Sequence, residues 1–513
     1  MHVALLLEAD PPGGDPRTDV AAVTARLELI RAEIDRRGTP LAVSISGPVL
    51  SAIRRQAGAL LDEVAGRVEW VRTVWDAPDL TTLPDRVIEA AIAHESAVWR
   101  SAGLEPGTLA VEGPWEPRLV EALATAGERT VLMDAERLRP ERGGVLRHLD
   151  STIAVLGILP VPDTIVPDRS DGLEVWRLRD PSRLGSLVDR LRSSAVGVLT
   201  TPADYASTHA ITGSATVRPT EARETPESTV LRNKVLRLST RMPDRSPAEA
   251  LEHLLEGASR EGLSAEATGP LRRRLHESLI RARHLMDDRR RRGDDWGRVR
   301  RIDWDADGRT EVQIETGGIS IVIDPDRGAT VPVLDDKVRT WAAGFLPGEA
   351  AGTLLQIVDD GGRTIPVDVD LAQVEEERDH VQVVLSATTP GAGTVRLRVR
   401  VANRTLRLRY EAEGLPEGRL GPRLNLALGR VRARADGAEW MPVTDPMTLS
   451  GHRFRLDGPR AQILAGSMIP AECALRPHDD GVVVWPSWVT SGSGVYELTL
   501  DLAPPESTAS SAS

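Results

Sequence analysis

Short apolar runs and amphipathic stretches take turns along the chain from its start to about residue 220. The runs "HVALLLEAD", "PLAVSIS", "VEWVRTVW", "GTLAVEG", "RTVLMD", "LEVWRLRD" and "AVGVLTTP" are apolar through most of their length, as strands covered on both faces are. Between several of them lie helical patterns such as "DVAAVTARLELIRAEIDRRG", which opens on an aspartate cap and closes on glycine, and "LPDRVIEAAIAHESAVWRSAG". Strand and helix in turn predict a parallel sheet, and about seven such units predict an incomplete (β/α)7-type barrel over 1–225. From 226 to 298 the period changes. "SPAEALEHLLEGASREG" and "TGPLRRRLHESLIRARHLMDDRRRR" carry apolar residues at three- and four-residue spacing and predict a helical subdomain. From 299 the signal is alternation and turns, in "TEVQIETGGISIVIDPDRG", "VQVVLSATTPGAGTVRLRVRVANRTLRLRYEAEG" and "GVYELTLDL". That predicts an antiparallel β-sandwich over 299–505, followed by a small, polar, disordered tail at 506–513.

The length of 513 residues exceeds what one core usually supports, in keeping with this multidomain α/β plus all-β reading. A net charge of −12 argues against a nucleic-acid partner, because phosphate binding needs a basic surface. The lone cysteine, Cys473, rules out an intrachain disulfide framework and fits a reducing compartment. "MHVALLLEADPPGG" has too short an apolar run and no basic start for a secretory signal, and no stretch approaches membrane-spanning length. A cytoplasmic protein without a membrane partner is expected; the sequence leaves its oligomeric state open.

Chemistry first shows in "LAVEGPWEP", where a strand-like run ends in Glu112, a Gly-Pro turn, Trp115 and a second glutamate. Several other predicted strands end in carboxylates: Glu8 and Asp10, Asp76, Asp134 and Asp180. In a parallel barrel such groups converge at the carboxyl end, where barrel enzymes place their chemistry. Acidic convergence suits glycosyl transfer, which uses one carboxylate as nucleophile and another as acid/base. Each feature also has a plainer reading. A glutamate after a strand often caps the next helix, Trp115 can plug a barrel mouth, and Asp180 before Pro181 is a common turn opener. Tryptophan (11) outnumbers tyrosine and phenylalanine in a chain only 3% aromatic, which counts against a long cleft of stacked sugar subsites.

These residues resemble the family-57 glycoside hydrolases, in particular the α-amylases and 4-α-glucanotransferases with a C-terminal β-sandwich. "SISGPVL" resembles that family's second-strand signature, and "LAVEGPWEPRLVEALATAGERTVLMD" its nucleophile segment. "TPESTVLRNKVLRLSTRM" is similar to the helix after the barrel, and "RRIDWDADGRTEVQIETGGISIVIDPDRGATVPVLD" to the entry of the sandwich. The likeness follows chain order from residue 2 to 505. It implies a retaining enzyme acting on α-glucan or oligosaccharide, without a cofactor. Glu112 falls on the nucleophile. Asp180, with Gly185 following, falls on the acid/base, with Asp171 in "SDGLEVW" as its rival. Trp115 would wall the site, and Asp76 falls where the family has a substrate-contacting glutamate.

The departures carry weight too. Where the family has His-Gln-Pro this chain has Ala9, Asp10 and Pro11, and a family histidine is replaced by Ser44. The family's Trp-His-Gly loop has no counterpart, and the segment after Asp180 is shorter and has lost its aromatics. Such losses imply a changed substrate, or an inactive homologue that binds glycan or scaffolds a protein partner. No metal is expected. "DWDADG" places Asp303, Asp305 and Asp307 like half of a calcium loop, but the twelfth position is Ile314, so a turn is the simpler reading. His94, His253, His276 and His284 share no ligand spacing for zinc.

Overall fold

Seven parallel strands close on themselves at the N-terminal side of the chain. They are β1 (His2–Glu8), β2 (Ala42–Ile45), β3 (Glu69–Thr73), β4 (Thr108–Ala110), β5 (Thr130–Asp134), β6 (Ser151–Pro160) and β7 (Leu173–Leu178). Each pairs with the next, and β7 returns to β1 in the register His2↔Leu173 to Leu7↔Leu178, so the ring closes. Two more strands join this sheet, Val198–Thr200 parallel to β1 and Gly143–His148 antiparallel to β6. The computed structural model describes residues 2–9, 20–75, 77–162, 173–193, 198–218, 225–243, 246–264, 266–290, 296–377, 380–389 and 393–503, without the side chains of 288–290. It divides into two compact units, Met1–Glu224 with Val235–Glu266, and Thr225–Lys234 with Ala267–Ser513.

The barrel follows from the two-residue period of its strands. In β1, Val3, Leu5 and Leu7 point outward and pack with Val23, Leu27 and Ile30 of helix α1 (Val20–Arg37). Ala4 and Leu6 point inward and meet Ala42, Val71, Ala110, Leu132 and Val175 in an inner core. Each large apolar side chain buried this way contributes roughly 1.5–3 kcal/mol. Continuing the inward alternation by two residues brings Glu8 after Leu6, Glu112 after Ala110, Asp134 after Leu132 and Arg177 after Val175. The strands are thus apolar where the barrel is sealed and charged at its carboxyl end.

Helix α2 (Gly47–Ala65) starts in "SGPV", with proline in its first turn, where the missing N–H has no helical partner anyway. In α3 (Asp85–Ser101), Trp99 is fully buried and donates its indole N–H to Glu95 at 2.9 Å. A glutamate is thereby accommodated on a covered face.

The second unit contains a fifteen-stranded sheet in which every pairing is antiparallel. Its alternation is clearest in Thr394–Ala402, where Val395, Leu397, Val399 and Val401 are buried and the arginines between them are not. These side chains belong to one large core with Leu408, Tyr410 and Trp488. The predicted helical stretch forms Pro226–Arg241, Ala248–Gly257, Arg260–Leu263 and Gly269–Arg290, and is shared between the two units.

Candidate functional site

Glu112 stands just beyond β4. The backbone N–H of Val111 still donates to the Leu132 carbonyl at 2.9 Å, so the chain is held against β5 up to the residue before it. Gly113 then turns with φ +104°, a conformation that favours glycine, and its carbonyl accepts a hydrogen bond from the Arg137 guanidinium. Trp115 follows, half-buried, before the chain enters α4 (Leu119–Thr125).

The organising group of the mouth is Arg177 of β7. Its Nη2 donates to Glu112 Oε1 at 2.9 Å, its Nε lies 3.1 Å from Glu8 Oε1, and its Nη1 lies 3.4 Å from Asp134 Oδ1. The arginine side chain is 12% exposed, and the three carboxylates are 21–26% exposed. Arg260 approaches the other oxygens, at 3.7 Å from Glu112 Oε2 and 4.0 Å from Asp134 Oδ2. It is held there by its own backbone, which donates to the Ala77 carbonyl at 3.2 Å, beside a bridge between Pro78 and Ser259.

The electrostatics separate these groups. Desolvation alone would lower the pKa of Arg177, but Glu112, Asp134 and Glu8 outweigh it and the guanidinium is held above its ordinary value. Burial raises the pKa of Glu8 and the nearby Glu112 adds to that rise, against the opposing pull of Arg177, Arg179 and Arg26. The Glu8 carboxyl is thereby held above its ordinary value.

Asp180 sits two residues beyond β7 and is exposed. Its Oδ1 accepts from the Ser182 hydroxyl at 2.7 Å and from the Ser182 backbone N–H at 3.0 Å, capping a short turn of helix. Those hydrogen bonds hold its pKa below the usual carboxylate value. Asp180 shares a cleft of about 500 Å³ with Asp134, Glu136, Arg177, Arg179 and Arg183. The structure thus brings Glu8, Glu112 and Asp134 onto one guanidinium and places Asp180 at the cleft beside it. Asp10, Asp76 and Asp171 lie outside the described residues.

Sequence reasoning missed Arg177 and Arg260. The first had a signal, because it continues the inward alternation of Leu173 and Val175. The second had none, since its segment is helical and remote in sequence.

In the acidic turn, Asp303, Asp305 and Glu311 bring carboxylate oxygens within 4.8 Å of one another. The turn's own backbone uses them: Gly308 donates to Asp303 at 3.2 Å and Asp307 to Asp305 at 3.3 Å. Arg327 supplies positive charge to Asp305, Asp307 and Asp324 at 3.1–3.4 Å. The segment is a charged turn with its own cation.

No family model matches the chain. Its fold is similar to that of a 4-α-glucanotransferase from Thermococcus litoralis, with a TM-score of 0.76 and 15% identity over 98% of this chain and 99% of that one. At that identity the likeness shows the fold, which is the one the family-57 resemblance implies. An exo-type maltose-forming amylase from Pyrococcus sp. ST04 covers 40% of this chain and 49% of its own at 10% identity, with a TM-score of 0.33, too low for inference. A Streptomyces coelicolor protein bearing the name actinorhodin polyketide beta-ketoacyl synthase 2 is 30% identical over 211 residues, 38% of this chain. The match spans 45% of that protein, less than half its length.

Proposed function

We propose that the protein is a family-57-like enzyme acting on α-linked glucan, a glycoside hydrolase or 4-α-glucanotransferase working by a retaining mechanism with Glu112 as its nucleophile. The observation that carries this reading is the placement of Glu112. It stands at the carboxyl end of a seven-strand barrel of glucanotransferase fold, hydrogen-bonded to the Arg177 guanidinium at 2.9 Å. A retaining mechanism places its nucleophilic carboxylate at such a position, facing the anomeric carbon.

A second carboxyl has to protonate the leaving oxygen, and there are two candidates. The resemblance assigns the role to Asp180, which borders the cleft. Glu8 is the second candidate, because burial raises its pKa in the direction a general acid needs. Trp115 would offer an apolar wall to a sugar ring, with Asp10 and Asp76 as further substrate contacts. The proposal places this chemistry in the cytoplasm.

One observation favours a second reading, glycan binding or scaffolding without turnover. Arg177 and Arg260 approach both carboxylate oxygens of Glu112, which restrains the nucleophile. Incubation of the protein and its Glu112→Gln variant with maltoheptaose, followed by product analysis, decides between the two. Shorter and longer chains mark a transferase, shorter products alone a hydrolase, and in either case the variant is expected to be inert. Unaltered maltoheptaose in the presence of the unmodified protein, with glycan binding retained, would establish the binding reading.

A further inference from the structure

In the second unit five strands run side by side in the order Gly352–Asp359, Thr405–Leu426, Gly481–Ala503, Gln462–His478 and Met447–Asp457. Together they carry an open groove of about 440 Å³. Its lining combines two chemistries. Trp485 and Met447 give it an apolar side, and Gln356, Thr448, Arg423 and Arg476 a polar one.

The groove exists because a small residue stands beside a large one. Across the strands Thr448 pairs with Ala474, and Ala474 with Trp485. A methyl group next to the indole leaves the ring flank uncovered, where a longer side chain would fill the space. Trp485 is only partly buried, in a chain with few aromatics. Its indole N–H, like the amide oxygen of Gln356, finds no hydrogen-bond partner among the described residues.

The polar side is rich in donors. Arg423 and Arg476 both reach Glu349 Oε2, at 3.5 and 2.6 Å, so two cations share one carboxylate. Their side chains remain 29% and 51% exposed, and a guanidinium carries more N–H donors than one carboxylate oxygen uses. A ligand that fits has a flat apolar face for the indole and a rim of oxygens to accept from arginine. A pyranose ring has both.

We propose that this groove is a second carbohydrate site, holding a pyranosyl unit of a glycan chain on Trp485 with Arg476 and Arg423 donating to its hydroxyl oxygens. None of its residues belongs to the barrel. The choice of α-glucan as the sugar rests on the function proposed above.

The test follows Trp485 directly, in full-length Glu112→Gln protein labelled with 5-fluorotryptophan. The Trp485 resonance is the one missing from the Trp485→Phe variant. Maltoheptaose up to about 10 mM, tenfold above a 1 mM dissociation constant, is expected to shift it. Arg476→Ala, at an exposed position that leaves the core untouched, is expected to weaken that response about tenfold, the loss of one charge-assisted hydrogen bond. A Trp485 resonance that does not move, or one that moves equally with Arg476→Ala, overturns the proposal. Turnover of maltoheptaose by the unmodified protein separates this proposal from the function reading. A shifting resonance without turnover keeps the groove and removes the glucan chemistry, and turnover with an unmoved resonance does the reverse.

Discussion

Replacing Arg177 by methionine tests the electrostatic design of the barrel mouth most directly. The substitution keeps an apolar stem of similar length and removes a cation that lies 2.9–3.4 Å from three carboxylates. Removing one partner of a fully buried pair costs about 3–5 kcal/mol, and of an exposed pair at most ~1 kcal/mol. The carboxylates here are 21–26% exposed, so water screens part of the loss. A destabilisation of about 2–4 kcal/mol at pH 8 follows, which for a unit of this size lowers the melting temperature by roughly 4–8 °C.

The loss depends on pH with a definite sign. The pKa of Glu8 is already raised in the folded state, so its contribution to stability is full below the ordinary carboxylate value and falls as pH rises through the raised one. Without Arg177 the opposing pull is gone, and the fall becomes steeper. Calorimetric unfolding of the unmodified and Arg177→Met proteins at pH 4.5 and 8 is the assay, read on whichever transition shifts, because two compact units can melt separately. A large deficit at pH 8 that shrinks at pH 4.5 is expected. An equal deficit at both values, or none at pH 8, would refute the assignment of Arg177 as the counter-charge of the site.

Three further outcomes are expected. In the pH profile of kcat/KM on maltoheptaose, Glu8→Gln should remove the alkaline limb and Asp180→Asn leave it, because burial favours protonated Glu8 while Ser182 holds Asp180 ionised; the reverse result gives the acid role to Asp180. Gly113→Ala should cost about 1–2 kcal/mol in urea unfolding, from the positive φ and from a Cβ placed 3.2 Å from Cδ of Arg260; an unchanged midpoint would mean that the turn relaxes freely. Cys473 is buried and its thiol is pushed up to about 12 by desolvation, so a thiol reagent at pH 8 should label it only after unfolding; rapid labelling of the folded protein would contradict that burial.

Much of the fold was legible in the chain. Six of the seven apolar runs became barrel strands, and "AVGVLTTP" became an added strand at Val198–Thr200 beside β1. The sixth barrel strand, Ser151–Pro160, was not read from the sequence. The alternation of "TVRLRVRV" became a half-buried strand of the large sheet. "SISGPVL", likened to a second-strand signature, forms the end of β2 and the proline-started opening of α2. Glu112 was legible for the same local reason, as a carboxylate at a strand end followed by a glycine that permits the turn. Its partners were not. Arg177 looked like one more charge in "LEVWRLRD", and only the pairing of β7 with both β6 and β1 turns it toward Glu8, Glu112 and Asp134.

The sequence by itself determined most of the strands and helices, which face of each is apolar, and that acids collect at strand ends, because these depend on residues a few positions apart. The tertiary structure decided that the ring closes at seven strands, that one guanidinium serves three carboxylates, and that Glu8 is desolvated. Charge interactions and burial depend on distances between residues far apart in the chain, and those distances are set only when the strands find their register.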